Sequence, residues 1–409
     1  MAVPRKATQT INQENTNSRI AVKSNLNPPL EPLKRAALGE VGNTLQESQK
    51  AQIGLGPTKN AFKKHEGGLQ SKKDAVKTLT NKDKAIPTKP TAILKRQESL
   101  LKPIQEKVTQ PKEVPRTSTL VSKKLSIIDP DESTKNDPQM VTEYVMDIFK
   151  YLREMELKLA IKENFLEGHE TTSRMRAILV NWLVDVHANF KATLDTLHIC
   201  IGIVDRYLQE NKKVGRSTLQ LVGASAMLIA CKYEEIYVPD LDDFEYVCDH
   251  TFTKRQILQM EKEILKRLDF NLGRPISVQF LRRYTKVTQS RLEHHNLGKY
   301  ILELALLESD IVHVKPSLLA AAACCLSMGI LNETMDLTKL WNPTFVQYTS
   351  YDYYDFRSLI AELAYLLVKS EQSKFQAIRR KYALPKFGKI SLNVKLNGPL
   401  VRKLTAGKK

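Results

Sequence analysis

Aromatic side chains are almost missing from the front of the chain: through residue 130 Phe62 is the only one, and every Trp and Tyr lies beyond. A stretch so poor in large apolar groups cannot bury enough surface to offset the entropy of ordering it. Residues 1–130 therefore read as a long disordered tail. Long apolar runs are missing too. None reaches the roughly 18 residues of a membrane span, and the opening MAVPRKATQT has no apolar signal core. The expectation is a protein without a membrane partner. Cysteine is scarce: Cys200, Cys231, Cys248, Cys324 and Cys325 show no CxxC spacing and no histidine partner at metal spacing. That pattern points to reduced, buried thiols and no metal or other cofactor. The chain also lacks a P-loop, a dinucleotide-binding glycine fingerprint, HExxH, GxSxG and the kinase signature set. The carboxylates of DLDDFE and YEEIY suit helix capping and solvated faces better than acid/base work. A catalytic role is not expected.

What is present falls into two halves. The formal net charge is +18, and residues 1–130 hold 24 Lys and Arg against 11 Asp and Glu. These cations stand singly or in pairs without aromatic interleaving, so a specific nucleic-acid surface is not indicated. The rest reads as helices. In NDPQMVTEYVMDIFKYLREMELKL, Asp137 suits an N-cap and Pro138 a first helical position. Val141, Tyr144, Val145, Ile148, Leu152 and Met155 follow at helical spacing, which predicts an amphipathic helix within 137–162. About five capped helical segments then occupy 171–272, and after Pro275 a comparable series fills 275–375, with a C-terminal extension over 376–409. The third segment of each series is rich in small residues, LVGASAMLIA and LLAAAACCLS, which lets neighbours approach closely. The fold class is all-α: two tandem five-helix repeats with an extra N-terminal helix, behind the tail.

Charge embedded in apolar helices stands out. Arg176 lies between Met175 and Ile178, Asp205 sits in GIVDRYL, Lys232 closes a long apolar helix and Glu261 lies within QMEKEIL. A charge facing a core must be paired. Arg176 with Asp205 is best read as an internal pair, whereas Lys232 and Glu261 stand where they could also meet another protein's backbone. Met175, Ile178, Leu179 and Trp182 form an i, i+3, i+4, i+7 stripe, a pattern that ordinarily marks core.

These residues carry a resemblance. MRAILVNWLVDVH, DRYL, LQLVGASAMLIACKYEEIY and FTKRQILQMEKEILKRLDFNLGRP resemble the cyclin box, over about residues 137–390. YVMDIFKYLREME, LGRPISVQFLRRYTK and KYALPKFGKIS resemble the B-type mitotic members. Asn181 departs from the family, which usually has aspartate there. The resemblance implies two cyclin boxes and a regulatory subunit that binds and activates a mitotic cyclin-dependent protein kinase, with kinase substrates as further partners. It assigns Tyr144, Lys232, Tyr233, Glu234, Ile236, Glu261, Leu265 and Phe270 to the kinase surface. Met175, Ile178, Leu179 and Trp182 with Leu219 and Gln220 match the family's substrate-docking patch. Arg282, His295 and Lys299 match a corner that is similar to one holding phosphorylated segments. The family also implies cytoplasmic and nuclear residence, shuttling with the cell cycle. A competing reading is a nucleic-acid-binding transcription factor, since general initiation factors also use tandem cyclin-like repeats.

In the tail, RAALGEVGN offers Arg35, Leu38 and Asn43. The RxxL letters recur in the folded part, as at Arg176–Leu179 and Arg255–Leu258, but on expected helices, where they cannot be presented on an extended backbone. The tail copy resembles the destruction box of mitotic cyclins, read by a ubiquitin ligase of the anaphase-promoting type. Flanking lysines such as Lys50, Lys59, Lys63 and Lys64 would be acceptors. KEN at Lys162–Asn164 abuts the folded part and is discounted. The tail has no Ser-Pro or Thr-Pro pair, and Ser99 and Ser126 follow basic residues as candidates for basophilic kinases.

Overall fold

The computed structural model describes residues 129–406, so the destruction-box residues Arg35, Leu38 and Asn43 and the serines Ser99 and Ser126 lie outside it. The described residues form helices and no strand. The N-terminal helix α1 is Val145–Lys158. The first repeat is α2 (Ser173–Asn189), α3 (Leu194–Glu210), α4 (Arg216–Glu234), α5 (Leu241–Val247) and α6 (Lys254–Arg267). The second is α7 (Ser277–Val287), α8 (Leu292–Leu306), α9 (Pro316–Leu331), a broken fourth element α10 (Leu337–Leu340) and α11 (Pro343–Thr349), and α12 (Tyr353–Gln372). The extension adds α13 (Ala377–Tyr382) and α14 (Pro399–Thr405).

Local chemistry sets these limits. Thr172 and Thr193 each accept the backbone N–H three residues on, which starts α2 and α3. Thr253 and Gln256 close a reciprocal capping box at α6. Pro316 and Pro343 occupy first-turn positions where the missing N–H costs nothing. The third helix is the axis of each repeat: α4 packs against α2, α3 and α6, and α9 against α7, α8 and α12. Its small residues allow this. A Cβ on Gly223 of α4 would stand 2.7 Å from Leu179 Cδ1 of α2, so the two helices meet with nothing between them.

α1 begins later than the sequence signals suggest. Asp137 and Pro138 do open a helical turn, with the Asp137 carboxylate accepting from Gln139 N, but it is a three-residue 3-10 turn ending at Val141 in the left-handed region. The Thr142 hydroxyl donates back to Thr134 O at 3.2 Å, folding the segment on itself before α1 starts at Val145. Ahead of it, the buried Asp131 receives both arms of Arg283 at 2.7 Å and Lys286 Nζ at 2.8 Å, pinning the approach to α7. These cations hold its carboxyl below the usual aspartate range against the opposing effect of burial. Glu156 of α1 is buried and accepts from Ser317 N at 2.9 Å and Ser317 Oγ at 2.6 Å, capping α9 from another element.

The repeats are cross-tied. Arg176 Nη1 donates to Leu306 O of the second repeat at 2.9 Å. Asn181 Oδ1 accepts from Ala377 N at 3.1 Å, so the amide serves the start of α13 where the departure from aspartate raised a question. Buried Glu303 of α8 takes Lys381 Nζ at 2.9 Å and the Tyr382 hydroxyl at 2.5 Å. All five cysteines are buried and free, and burial pushes the thiols of Cys231, Cys248 and Cys324 up to about 12.

Candidate partner interface

The candidate surface starts at the end of α4. Lys232 in its last turn meets Glu261 of α6 at 2.7 Å; the ammonium is half-exposed and the carboxylate mostly covered. The chain then leaves the helix with Glu235 turned inward, where it accepts from Thr193 N at 2.7 Å and from the Thr196 hydroxyl. With that anchor made, Tyr233, Glu234, Ile236 and Tyr237 stand in solvent, Ile236 at 76% exposure. Past α6, Asp269 and Phe270 both adopt left-handed backbone (φ 48° and 55°), and Phe270 is 66% exposed. For a bulky residue that backbone region is costly, and the ring is nonetheless left out in water. Leu265 behaves differently: it is partly buried and packs on the core.

α1 brings a second apolar strip. Phe149 and Leu152 pack on the core, while Tyr144, Ile148 and Tyr151, at i, i+4 and i+7, remain exposed. The inter-repeat linker joins the two regions. A Cβ on Gly273 would stand 3.8 Å from the Tyr233 hydroxyl, and Arg274 Nε donates to Leu159 O just past α1 at 3.1 Å. Exposed large apolar groups of this size make the surface a candidate for covering by a partner. Tyr151 and Tyr237 were not singled out from the sequence, and Ile148 was named there only as part of the helical stripe. Ile148 reads as core by spacing, and only the packed helix shows that α1 has two apolar faces.

The other candidates sit differently. Arg176 is fully buried, with Nε 2.5 Å and Nη2 2.7 Å from the two Asp205 oxygens. Of the docking stripe, Ile178, Leu179, Trp182, Leu219 and Gln220 are buried and only Met175 is partly open. The close approach of α2 and α4 at Gly223 makes most of that stripe core. Gln220 Nε2 is nonetheless buried without a hydrogen-bond partner, an unmet donor at the edge of the patch. At the Arg282 corner the guanidinium is already forked onto Asp195, with Nη1 2.9 Å from Oδ1. His295 is buried and shares a bond with Thr285 Oγ1 at 3.1 Å; burial, with Lys299 and Arg282 nearby, pulls it down to about 3. Lys299 lies 5.4 Å from the Phe387 ring centroid. The corner is basic, but its imidazole is neutral and its arginine is occupied.

No group of three or more His, Cys, Asp or Glu able to hold a metal occurs among the described residues. Residues 147–273 match the family model "Cyclin, N-terminal domain" and residues 275–396 match "Cyclin, C-terminal domain". A G2/mitotic-specific cyclin-B of Spisula solidissima is 46% identical over 69% of this chain, which spans 64% of that relative's length. A G2/mitotic-specific cyclin-B2 of Homo sapiens is 36% identical over 99% of this chain and 98% of its own. Among solved structures, a viral cyclin from herpesvirus saimiri superposes on 53% of this chain and 95% of its own, with a TM-score of 0.46 at 18% identity. Cyclins are non-catalytic regulatory subunits of cyclin-dependent kinases. The helical repeats, the two domain matches and the full-length similarity lead to one conclusion: this chain belongs to the cyclin family, among the G2/mitotic-specific B-type members.

Proposed function

We propose that this chain binds and activates a mitotic cyclin-dependent protein kinase, and that the exposed apolar corner described above is where the kinase docks. The observation that carries the reading is the exposure of Tyr233, Ile236 and Phe270, large apolar groups left in water at or just past the ends of the helices joined by the half-exposed Lys232–Glu261 pair, with Tyr144 likewise exposed ahead of α1. A kinase needs its strand lysine and C-helix glutamate paired around the ATP phosphates. A rigid partner that binds only the helix-in state shifts the population toward it. Moving a ratio of 1:99 to 99:1 takes about 5.5 kcal/mol of differential affinity, which burying several aromatic and aliphatic groups can supply.

Substrate choice belongs to this proposal. Docked segments would engage Met175 and the unmet Gln220 amide once neighbouring side chains yield, and a phosphorylated segment would have to draw Arg282 away from Asp195 beside Lys299. The tail motif Arg35, Leu38 and Asn43 would time ubiquitin-dependent destruction at mitotic exit, and shuttling between cytoplasm and nucleus would set where the kinase acts. The transcription-factor alternative has no comparable support.

The test is capture and activation of a purified cyclin-dependent kinase by wild type and by Lys232→Ala with Glu261→Ala. The pair is partly exposed and contributes at most about 1 kcal/mol to the fold, so the variant stays folded. Loss of binding and activation is expected; undiminished activation would overturn the interface.

A further inference from the structure

The C-terminal extension shows a feature that kinase binding does not use. From Gln372 to Lys409 the sequence contains no Asp or Glu and 11 Lys and Arg. Four of these cations are drawn to carboxylates elsewhere: Arg379 to Glu371, Arg380 to Asp185, Lys381 to Glu303 and Lys395 to Glu333. Lys386, Lys389, Arg402 and Lys403 are exposed and make no ion pair among the described residues. They stand next to exposed aliphatic groups. The loop is pinned from beneath by buried Ile390 and by Ser391 Oγ donating to Arg379 O at 2.9 Å. Above that anchor, Leu392 is half-exposed and Val394 reaches 86% exposure. α14, bearing Arg402 and Lys403, packs against the turn Val394–Asn397 and keeps its cations near the same loop.

A run of surface lysines is ordinarily a solvated face. An ordered loop that also holds leucine and valine out in water is not explained by solvation. We propose that this face is a docking surface for an acidic peptide segment of a partner protein that carries aliphatic side chains, its carboxylates meeting Lys386, Lys389, Arg402 and Lys403 and its apolar side chains covering Leu392 and Val394. Charge complementarity selects this occupant. The chain's own excess of +18 disfavours a second copy, while Leu and Val give bases nothing to stack on, and the Phe387 ring is already packed on Tyr382 and flanked by Lys299 and Lys386.

The experiment uses the full chain and fluorescence anisotropy of a labelled peptide, Glu-Asp-Leu-Glu-Glu-Leu-Asp-Glu. Comparison probes are its Gln/Asn analogue, its Leu-to-Ser analogue, a labelled DNA duplex and phosphatidylserine vesicles. The acidic, leucine-bearing peptide is expected to bind tightest. Lys386→Glu with Lys389→Glu should weaken it about tenfold or more, and Val394→Ser about fivefold through lost apolar burial. Circular dichroism should stay unchanged, since these side chains lie on the surface. Equal binding by wild type and the charge-reversed variant would place the peptide on the basic tail and overturn the proposal. Preference for DNA or vesicles, with no effect of Val394→Ser, would overturn it as well.

Discussion

Arg176 shows how one side chain can be both legible and under-read. Its position between apolar neighbours required a partner, and Asp205 was the natural acid; the structure makes that bond with both arms of the guanidinium. The third donor, toward Leu306 O, spans 130 positions of sequence, and no local pattern announces it. Removing one member of a buried pair strands the other. Arg176→Ala should therefore cost about 3–5 kcal/mol, measured by urea unfolding, and Arg176→Lys should recover only part because an ammonium lacks the planar fork. The carboxylates Asp131, Glu156 and Glu303 were missed altogether for the same reason. Each sits in an ordinary helical or turn context, and its partners lie between 78 and 161 positions away.

Helices were legible wherever caps and apolar period agreed, as at Thr172, Thr193 and Thr253. α1 is the exception that teaches most. Asp137 and Pro138 suit a 3-10 turn as well as an α-helix, and the fold-back through Thr142 and Thr134 decides between them. The apolar spacing of α1 was readable, but whether a stripe faces core or solvent depends on what lies opposite. Glu156 at the first turn of α9 is the polar tie of α1 to the second repeat, alongside the Phe149–Phe280 ring contact. Glu156→Ala should leave Ser317 N unmet in a buried site and cost about 1–3 kcal/mol. Hydrogen exchange should show faster opening in the first turn of α9 and along α1, with α4 unaffected. Uniform behaviour across all three helices would refute this division.

At the scale of the whole molecule, four imidazoles among the described residues are buried with lowered pKa, His294 and three that fall furthest. His187, His198 and His295 are each pulled down to about 3 from 6.5, mainly by burial and in each case with nearby cations adding to it. The unfolded chain takes up these protons as pH falls through about 6.5, while the folded chain resists until near 3. Stability is thus fully present above the unfolded value and declines across that window. At pH 5.5 the loss is about 1.4 kcal/mol for each histidine. Urea midpoints at pH 7.5 and 5.5 should differ accordingly, and equal midpoints would contradict the burial of these rings. Fold class and repeat number were open to sequence reading at this scale because they rest on periodicity, whereas the burial of individual polar groups rests on packing. The junction near residue 274 is crossed by Arg176 to Leu306, Asn181 to Ala377 and Arg274 to Leu159. A halved molecule would forfeit all the ties that cross its cut, so the two repeats, although countable as separate units, are not interchangeable parts: neither can be swapped for another family member's without bringing the matching anchors along.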